Sequence, residues 1–159
     1  MIETANKIRS LSEAAAWRAS QSAPVVFTNG VFDLIHPGHV QLLEAARQEG
    51  GALIVGINSD ESVRRLGKGT DRPLMLEAAR ARVVAALGAV DCVVLFESDT
   101  PLELIQALAP DVLVKGADYQ RARIVGGDWI EARGGRVVRV PLVSGFSTTS
   151  LVERLRASS

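Results

Sequence analysis

A chain of 159 residues, 47% of them hydrophobic and 23% charged, carries enough apolar material for one globular core and too much for a disordered segment. Lysine plus arginine and aspartate plus glutamate are balanced at 18 each, so no global field draws the chain to nucleic acid or to an anionic membrane, and any anion site must be local. The single cysteine, Cys92, excludes an internal disulfide framework and suits the cytoplasm; it sits inside the apolar run 90–96, where a thiol is a core residue rather than a nucleophile.

In chain order, Ile2 to Ser20 places Ile8, Leu11, Ala15 and Trp17 near a helical period, interrupted by Lys7, Arg9, Glu13 and Arg18. These charges break any signal-peptide core, and no stretch of the chain is long enough to span a bilayer, so an amphipathic helix packed on a sheet is expected, with residues 20–24 connecting to the first strand. Residues 1–23 thus form a helix and connection ahead of a core over 24–159, all in one domain. Val25-Val26-Phe27 is β-branched and aromatic and stops at Gly30; after a loop to Gly38, a helical pattern runs through Leu42, Leu43 and Ala46 until Gly50-Gly51.

That strand, turn and helix start contain both histidines of the chain, as His36-Pro37-Gly38-His39. A loop that leaves a strand and enters a helix aims unpaired N–H groups and the positive end of the helix dipole at the crevice, a natural place for phosphate. Gly38 removes a side chain where a ligand would approach, and Pro37 sets the chain direction. Imidazoles at such a point donate to phosphate oxygens, and partial protonation adds positive charge as negative charge builds on a reacting phosphorus. Two plainer readings compete: a pair of surface histidines, or half of a metal site that lacks further ligands.

Residues 52–57 form a continuous apolar run, as in a parallel strand covered on both faces, followed by Asn58-Ser59-Asp60 with N-cap chemistry for a short helix. Residues 66–73 are a polar loop with Lys68 and Arg72; as one of three lysines in the chain, and beside a glycine, Lys68 is a candidate cation to close over a triphosphate. Leu76 to Leu87 is helical, and periodicity places Arg80 and Arg82 on its wet face. Residues 90–96 give a third strand, Asp99-Thr100-Pro101 a cap with proline just inside the helix Leu102–Leu108, and residues 112–114 a fourth strand ending in Lys115-Gly116-Ala117-Asp118-Tyr119. A less regular helical segment from Arg121 to Arg133, an edge strand at Arg136–Val140 and a C-terminal helix from Ser150 to Arg156 complete the chain.

This alternation implies an α/β fold, a single Rossmann-like domain with a parallel five-stranded sheet and helices on both faces. Ligands then bind beyond the carboxyl ends of the strands, so residues 28–39, 58–60 and 115–119 are expected on one rim. Ser147, Thr148 and Thr149, after Gly145, form a second helix start suited to an anion, where plain capping needs only one hydroxyl.

The segments Thr28-Asn29-Gly30-Val31-Phe32-Asp33 and His36-Pro37-Gly38-His39 resemble the signature of the cytidylyltransferase-like nucleotidyltransferases. With Lys68-Gly69, Arg72-Pro73, Val114 to Tyr119 and Gly145 to Thr149 in the same order and spacing, the chain from about Lys7 onward resembles the heptose 1-phosphate adenylyltransferases. Two departures stand out. Leu142-Val143-Ser144 replaces the Arg-Thr of the glycerol-phosphate cytidylyltransferases, and Ala117 replaces a glycine that many relatives carry.

The resemblance implies transfer of AMP from ATP to a sugar 1-phosphate, with pyrophosphate released and Mg²⁺ carried mainly on the nucleotide phosphates, with no metal ligand assigned to the protein. It assigns catalysis to His36, His39 and Lys68. Nucleotide and phosphate binding fall to Thr28, Asn29, Gly30, Phe32, Gly38, Arg80, Lys115, Gly116, Asp118, Ser147, Thr148 and Thr149, and acceptor binding to Asp33, Asn58, Asp60 and Arg72. It also implies a homodimer and a functional link to a separate sugar kinase. The alternatives are a cytidylyltransferase acting on glycerol 3-phosphate or another alcohol phosphate, and a silent nucleotide-binding module.

Overall fold

The computed structural model describes residues 3–67 and 69–159, so Lys68 and the first two residues lie outside the described residues. Five strands, β1 (Val25–Gly30), β2 (Ala52–Asn58), β3 (Cys92–Phe96), β4 (Val112–Gly116) and β5 (Arg136–Val140), form one sheet in the order β3-β2-β1-β4-β5. Every pairing is parallel. The helices are α1 (Leu11–Ala19), α2 (Pro37–Gln48), α3 (Asp60–Arg65), α4 (Glu77–Ala85), α5 (Leu102–Leu108), α6 (Gly127–Ala132) and α7 (Thr148–Ala157).

Alternation along the strands explains why both faces are covered. Val26, Leu53, Val55 and Ile57 point into one core with Leu43 and Ala46 of α2 and Ala81, Val84 and Ala85 of α4. Val25, Phe27 and Ile54 point into the other with Ala14 of α1, Leu104, Ile105 and Leu108 of α5, and Ile130 of α6. Central strands with apolar side chains on both faces are what crossover helices require.

The order places the topological switch between β1 and β4, and pairing there is brief. β1 pairs with β2 along its whole length, from Val25↔Ala52 to Gly30↔Ile57, but with β4 only at Val26↔Val112 and Phe27↔Leu113. Beyond those two residues β1 and β4 share no ladder, and a crevice opens between their carboxyl ends, where ligands of open α/β sheets bind.

Three elements differ from the expectations. The N-terminal helix is broken: a 3-10 turn (Thr4–Lys7) is followed by a β-bridge of Ile8 to Val93, with the Arg9 amide on the Val93 carbonyl, and α1 starts afresh on a capping box between Ser10 and Glu13. Lys7 helps to hold the break by donating to the Val90 carbonyl at 2.6 Å. Arg80 is fully buried rather than on the wet face of α4, because its guanidinium has acceptors waiting inside; Arg82 is exposed as expected. Pro101 is the N-cap residue of α5 and not inside it, and Asp99 leaves the cap to pair with Arg65.

Candidate active site in the β1–β4 crevice

A cavity of about 440 Å³ occupies the crevice. Its floor is the end of β1, Thr28 to Gly30, and the turn Val31 to Asp33; one wall is the start of α2, another the end of β4 with Asp118, and the third the approach to α7. Thr28 is part of this floor, and its hydroxyl is buried without a hydrogen-bond partner in the protein.

The two histidines build the start of α2 between them. His36 is its N-cap, with extended backbone, and its Nδ1 accepts from the Gly38 amide at 3.1 Å; His39 Nδ1 accepts from the His36 amide at 3.4 Å. A neutral imidazole accepting at Nδ1 carries its proton on Nε2, the form that donates to a phosphate oxygen. The rings stack, with centres 3.8 Å apart and planes inclined by 26°, and His39 also lies against the ring of Phe32, 5.2 Å away. Burial holds the His36 pKa below its ordinary value, so the ring is neutral near pH 7. Phe32 reaches this position with a left-handed backbone, φ 53°, a conformation that side chains rarely adopt and that marks functional turns. Gly38 lines the cavity and also makes room for the imidazole, since a β-carbon there would stand 2.9 Å from His36 Cε1.

Asp33, fully buried, organises the neighbouring loop. It accepts from the amides of Leu74 and Met75, each at 2.8 Å at the nearer oxygen, and from Arg72 Nε at 2.6 Å. Burial pushes its pKa up, but the two amides and the guanidinium outweigh burial and leave it below the usual carboxylate range. Asp33 and Arg72 therefore brace each other at the cavity edge.

At the end of β4, Lys115 is buried, donates to Asn29 Oδ1 and stands 5.3 Å from the Tyr119 ring, tying the two diverging strands together. Gly116 lets the ends of the Asp118 and Leu142 side chains come close, since a β-carbon would meet Asp118 Oδ1 at 2.6 Å and Leu142 Cδ2 at 2.9 Å and these side chains would have to shift. α7 begins two residues earlier than expected. Ser147 is its N-cap, accepting from the Ser150 amide at 3.0 Å, so this hydroxyl does the plain capping while Thr148 and Thr149 line the cavity in the first turn.

Of the described residues expected in the site, all line this cavity except Asn58, Asp60 and Arg80. Asn58 bonds to the Ser62 hydroxyl and faces an adjoining cavity that shares Asn29, Gly30 and Lys115. Asp60 and Arg80 form a buried brace: Arg80 donates to Asp60 Oδ1 at 2.8 Å, to the Val31 carbonyl at 2.7 Å and to the Met75 carbonyl at 2.9 Å. A guanidinium engaged in this way supports the floor from beneath, and neither Arg80 nor Asp60 lines this cavity. The expectation for Lys68 lies outside the described residues. Tyr119 lines the cavity, on the rim where residues 115–119 were expected; sequence reasoning gave no site role to Leu142 and Phe146, which line it although 58% and 43% exposed. Large apolar side chains left open beside a polar crevice are the signal that would have found them.

Among the described residues no group of three His, Cys, Asp or Glu side chains is placed to hold a metal ion. The cavity presents two carboxylates, and Asp33 is already committed to Arg72 and two amides. Such a donor set fits a magnesium ion that arrives on polyphosphate.

A parallel sheet of this order, with two helix starts and stacked imidazoles converging on its switch point, defines a Rossmann-like α/β protein. Residues 27–153 match the Cytidylyltransferase-like family, and the chain belongs to it. It is 57% identical over 153 residues to the bifunctional protein HldE of Magnetococcus marinus, covering 96% of this chain and 31% of that one. To the bifunctional protein HldE of Azorhizobium caulinodans it is 59% identical over 142 residues, 89% of this chain and 29% of that one. The chain thus spans about three-tenths of the length of these relatives. Among solved structures, the lipopolysaccharide core biosynthesis protein of Thermoplasma volcanium superposes with a TM-score of 0.64 at 26% identity, covering 77% of this chain and 98% of that one. Pantothenate synthetase from Thermus thermophilus, at 18% identity and a TM-score of 0.64 over 95% of this chain and 70% of that one, shares the fold.

Proposed function

We propose that the protein transfers AMP from ATP to a sugar 1-phosphate, heptose 1-phosphate, giving ADP-heptose and pyrophosphate. The observation that carries this reading is the stacked pair His36 and His39 at the start of α2, facing a cavity that also receives the start of α7. Two helix N-termini and two imidazoles suit a polyphosphate chain whose charge shifts during reaction. Similarity to HldE proteins and to a lipopolysaccharide core biosynthesis protein supports a sugar-phosphate acceptor.

In this reading, a phosphate oxygen of the sugar 1-phosphate attacks the α-phosphorus of ATP. A new P–O bond forms as the bond from the α-phosphorus to the bridging oxygen breaks, and pyrophosphate departs in line with the attacking oxygen. No covalent nucleophile is needed, so the protein positions the reactants and stabilises spread negative charge. His36 and His39 donate from Nε2 to phosphate oxygens at the reacting centre, and Thr148 and Thr149 with the first amides of α7 hold the leaving phosphates. The rim of Gly116, Asp118, Tyr119 and Leu142 suits the nucleoside. Magnesium, when bound on the nucleotide, neutralises charge that the protein side chains leave uncovered. Lys68 is assigned to the triphosphate as a loop cation. Asn58 and Arg72 are the acceptor contacts this reading retains, with Asp33 holding Arg72 in place.

The proposal extends to one catalytic domain over residues 1–159, a homodimer or higher homo-oligomer, a cytoplasmic setting and a kinase activity that supplies the sugar 1-phosphate. No helix among the described residues is long and apolar enough to cross a membrane.

The test is pyrophosphate release with Mg²⁺ and each of ATP, CTP, GTP and UTP, paired with heptose 1-phosphate or glycerol 3-phosphate, with the product identified by mass. Release confined to ATP with heptose 1-phosphate is the expected result. Release with CTP and glycerol 3-phosphate replaces the substrates and keeps the chemistry; tight nucleotide binding without release from any pair contradicts an enzyme of this kind.

A further inference from the structure

The segment between β5 and α7 brings an aromatic ring to α2 as well as hydroxyls to the cavity. The Phe146 ring lies 6.3 Å from that of His36, centre to centre, with planes 21° apart. The two side chains flank Gly38, where a β-carbon would stand 3.0 Å from His36 Nδ1 and 3.7 Å from Phe146 Cβ. We propose that Phe146 is a positioning residue for His36, an apolar cover that keeps the imidazole neutral and its Nδ1 on the Gly38 amide during AMP transfer. The proposal rests on the reading of His36 as a phosphate-facing group.

The bond from the Gly38 amide to His36 Nδ1 exists only while Nδ1 is unprotonated. A proton there sets two N–H groups against each other, and the cap of α2 is lost at the point where a triphosphate would sit. Water around the ring favours the charged form, and Phe146 displaces part of that water. The lowered His36 pKa agrees, since burial is its cause. The ionisable groups that share the cavity with His36 are His39, Asp33, Arg72, Lys115 and Asp118, and Glu44 lies in a groove beside it on α2. Phe146 enters this polar surround as an apolar face, joining the start of α7 to the start of α2.

The experiment is a side-chain ¹⁵N NMR titration of His36 in the wild type, Phe146→Ala and Phe146→Leu, with the pH profile of kcat/KM for AMP transfer measured alongside. Phe146→Ala is expected to raise the His36 midpoint toward the free value of about 6.5 and to move the acid limb of the profile upward with it. Phe146→Leu, which keeps apolar cover, is expected to return both most of the way. A His36 midpoint and acid limb that stay where the wild type has them overturn the proposal, whatever happens to Tm. The NMR titration needs no substrate, so it decides this point even where no acceptor supports transfer, and the two failures remain distinct.

Discussion

At the scale of single residues, the charged groups around the crevice separate into those that face it and those that hold it up. Arg80 is the clearest case of the second kind. Arg80→Ala leaves the Val31 and Met75 carbonyls without their donor and Asp60 without its cation, at a cost of about 3 kcal/mol in stability measured by urea unfolding. The folded fraction is expected to bind ATP with unchanged affinity, measured by calorimetry below its Tm; a large loss of affinity with normal stability would return Arg80 to the nucleotide. Asp33 is similar. Its pKa is lower folded than unfolded, so its stabilisation is complete above its unfolded pKa of about 3.9 and is lost as pH falls through the lower folded value. Asp33→Ala should therefore cost about 1–3 kcal/mol at neutral pH and flatten the stability profile at the acid end. A wild-type acid limb preserved in this variant would deny the carboxylate that part. Neither brace was legible in the sequence: periodicity measures which face of a helix a residue occupies, and says nothing of acceptors waiting inside, three of which turn Arg80 inward.

Among elements, the strands were the most legible because their side chains are apolar on both faces; residues 52–57 lie in a strand as read from the sequence alone, and the run read as 90–96 does so from Cys92 on. The N-terminal helix was less so. Its break at Ile8 depends on a bridge to Val93, a contact between residues far apart in sequence that no local pattern records. In the proposed reaction the helix starts hold the phosphates, and α7 offers a separable test. Ser147→Ala removes the cap bond from the Ser150 amide and should cost about 1 kcal/mol, with a higher KM for ATP and little change in kcat. A fall in kcat at unchanged KM would place Ser147 at the reacting atoms instead.

For the whole molecule, the order β3-β2-β1-β4-β5 decides what can meet. β1 and β4 are separated by more than eighty residues of sequence, yet they lie side by side and then part, so the ends of both and the approach to α7 form one cavity. Alternation and the rule for parallel sheets were enough to put residues 28–39 and 115–119 on a shared rim. They could not place Asn58 in the adjoining cavity, nor bring Phe146 to His36, because such placements follow from helix packing and from the path of a loop.

The central claim is that the imidazole pair at the start of α2 drives AMP transfer. The most direct measurement is the rate of ADP-heptose formation from ATP and heptose 1-phosphate by the wild type and by His39→Ala, with Tm recorded for both. His39→Ala is expected to lower kcat by about 10²-fold or more while Tm falls by only a few degrees, since His39 is only partly buried and belongs to neither core cluster. Equal turnover in the two proteins, or a loss of activity that follows the loss of folded protein, would contradict the account.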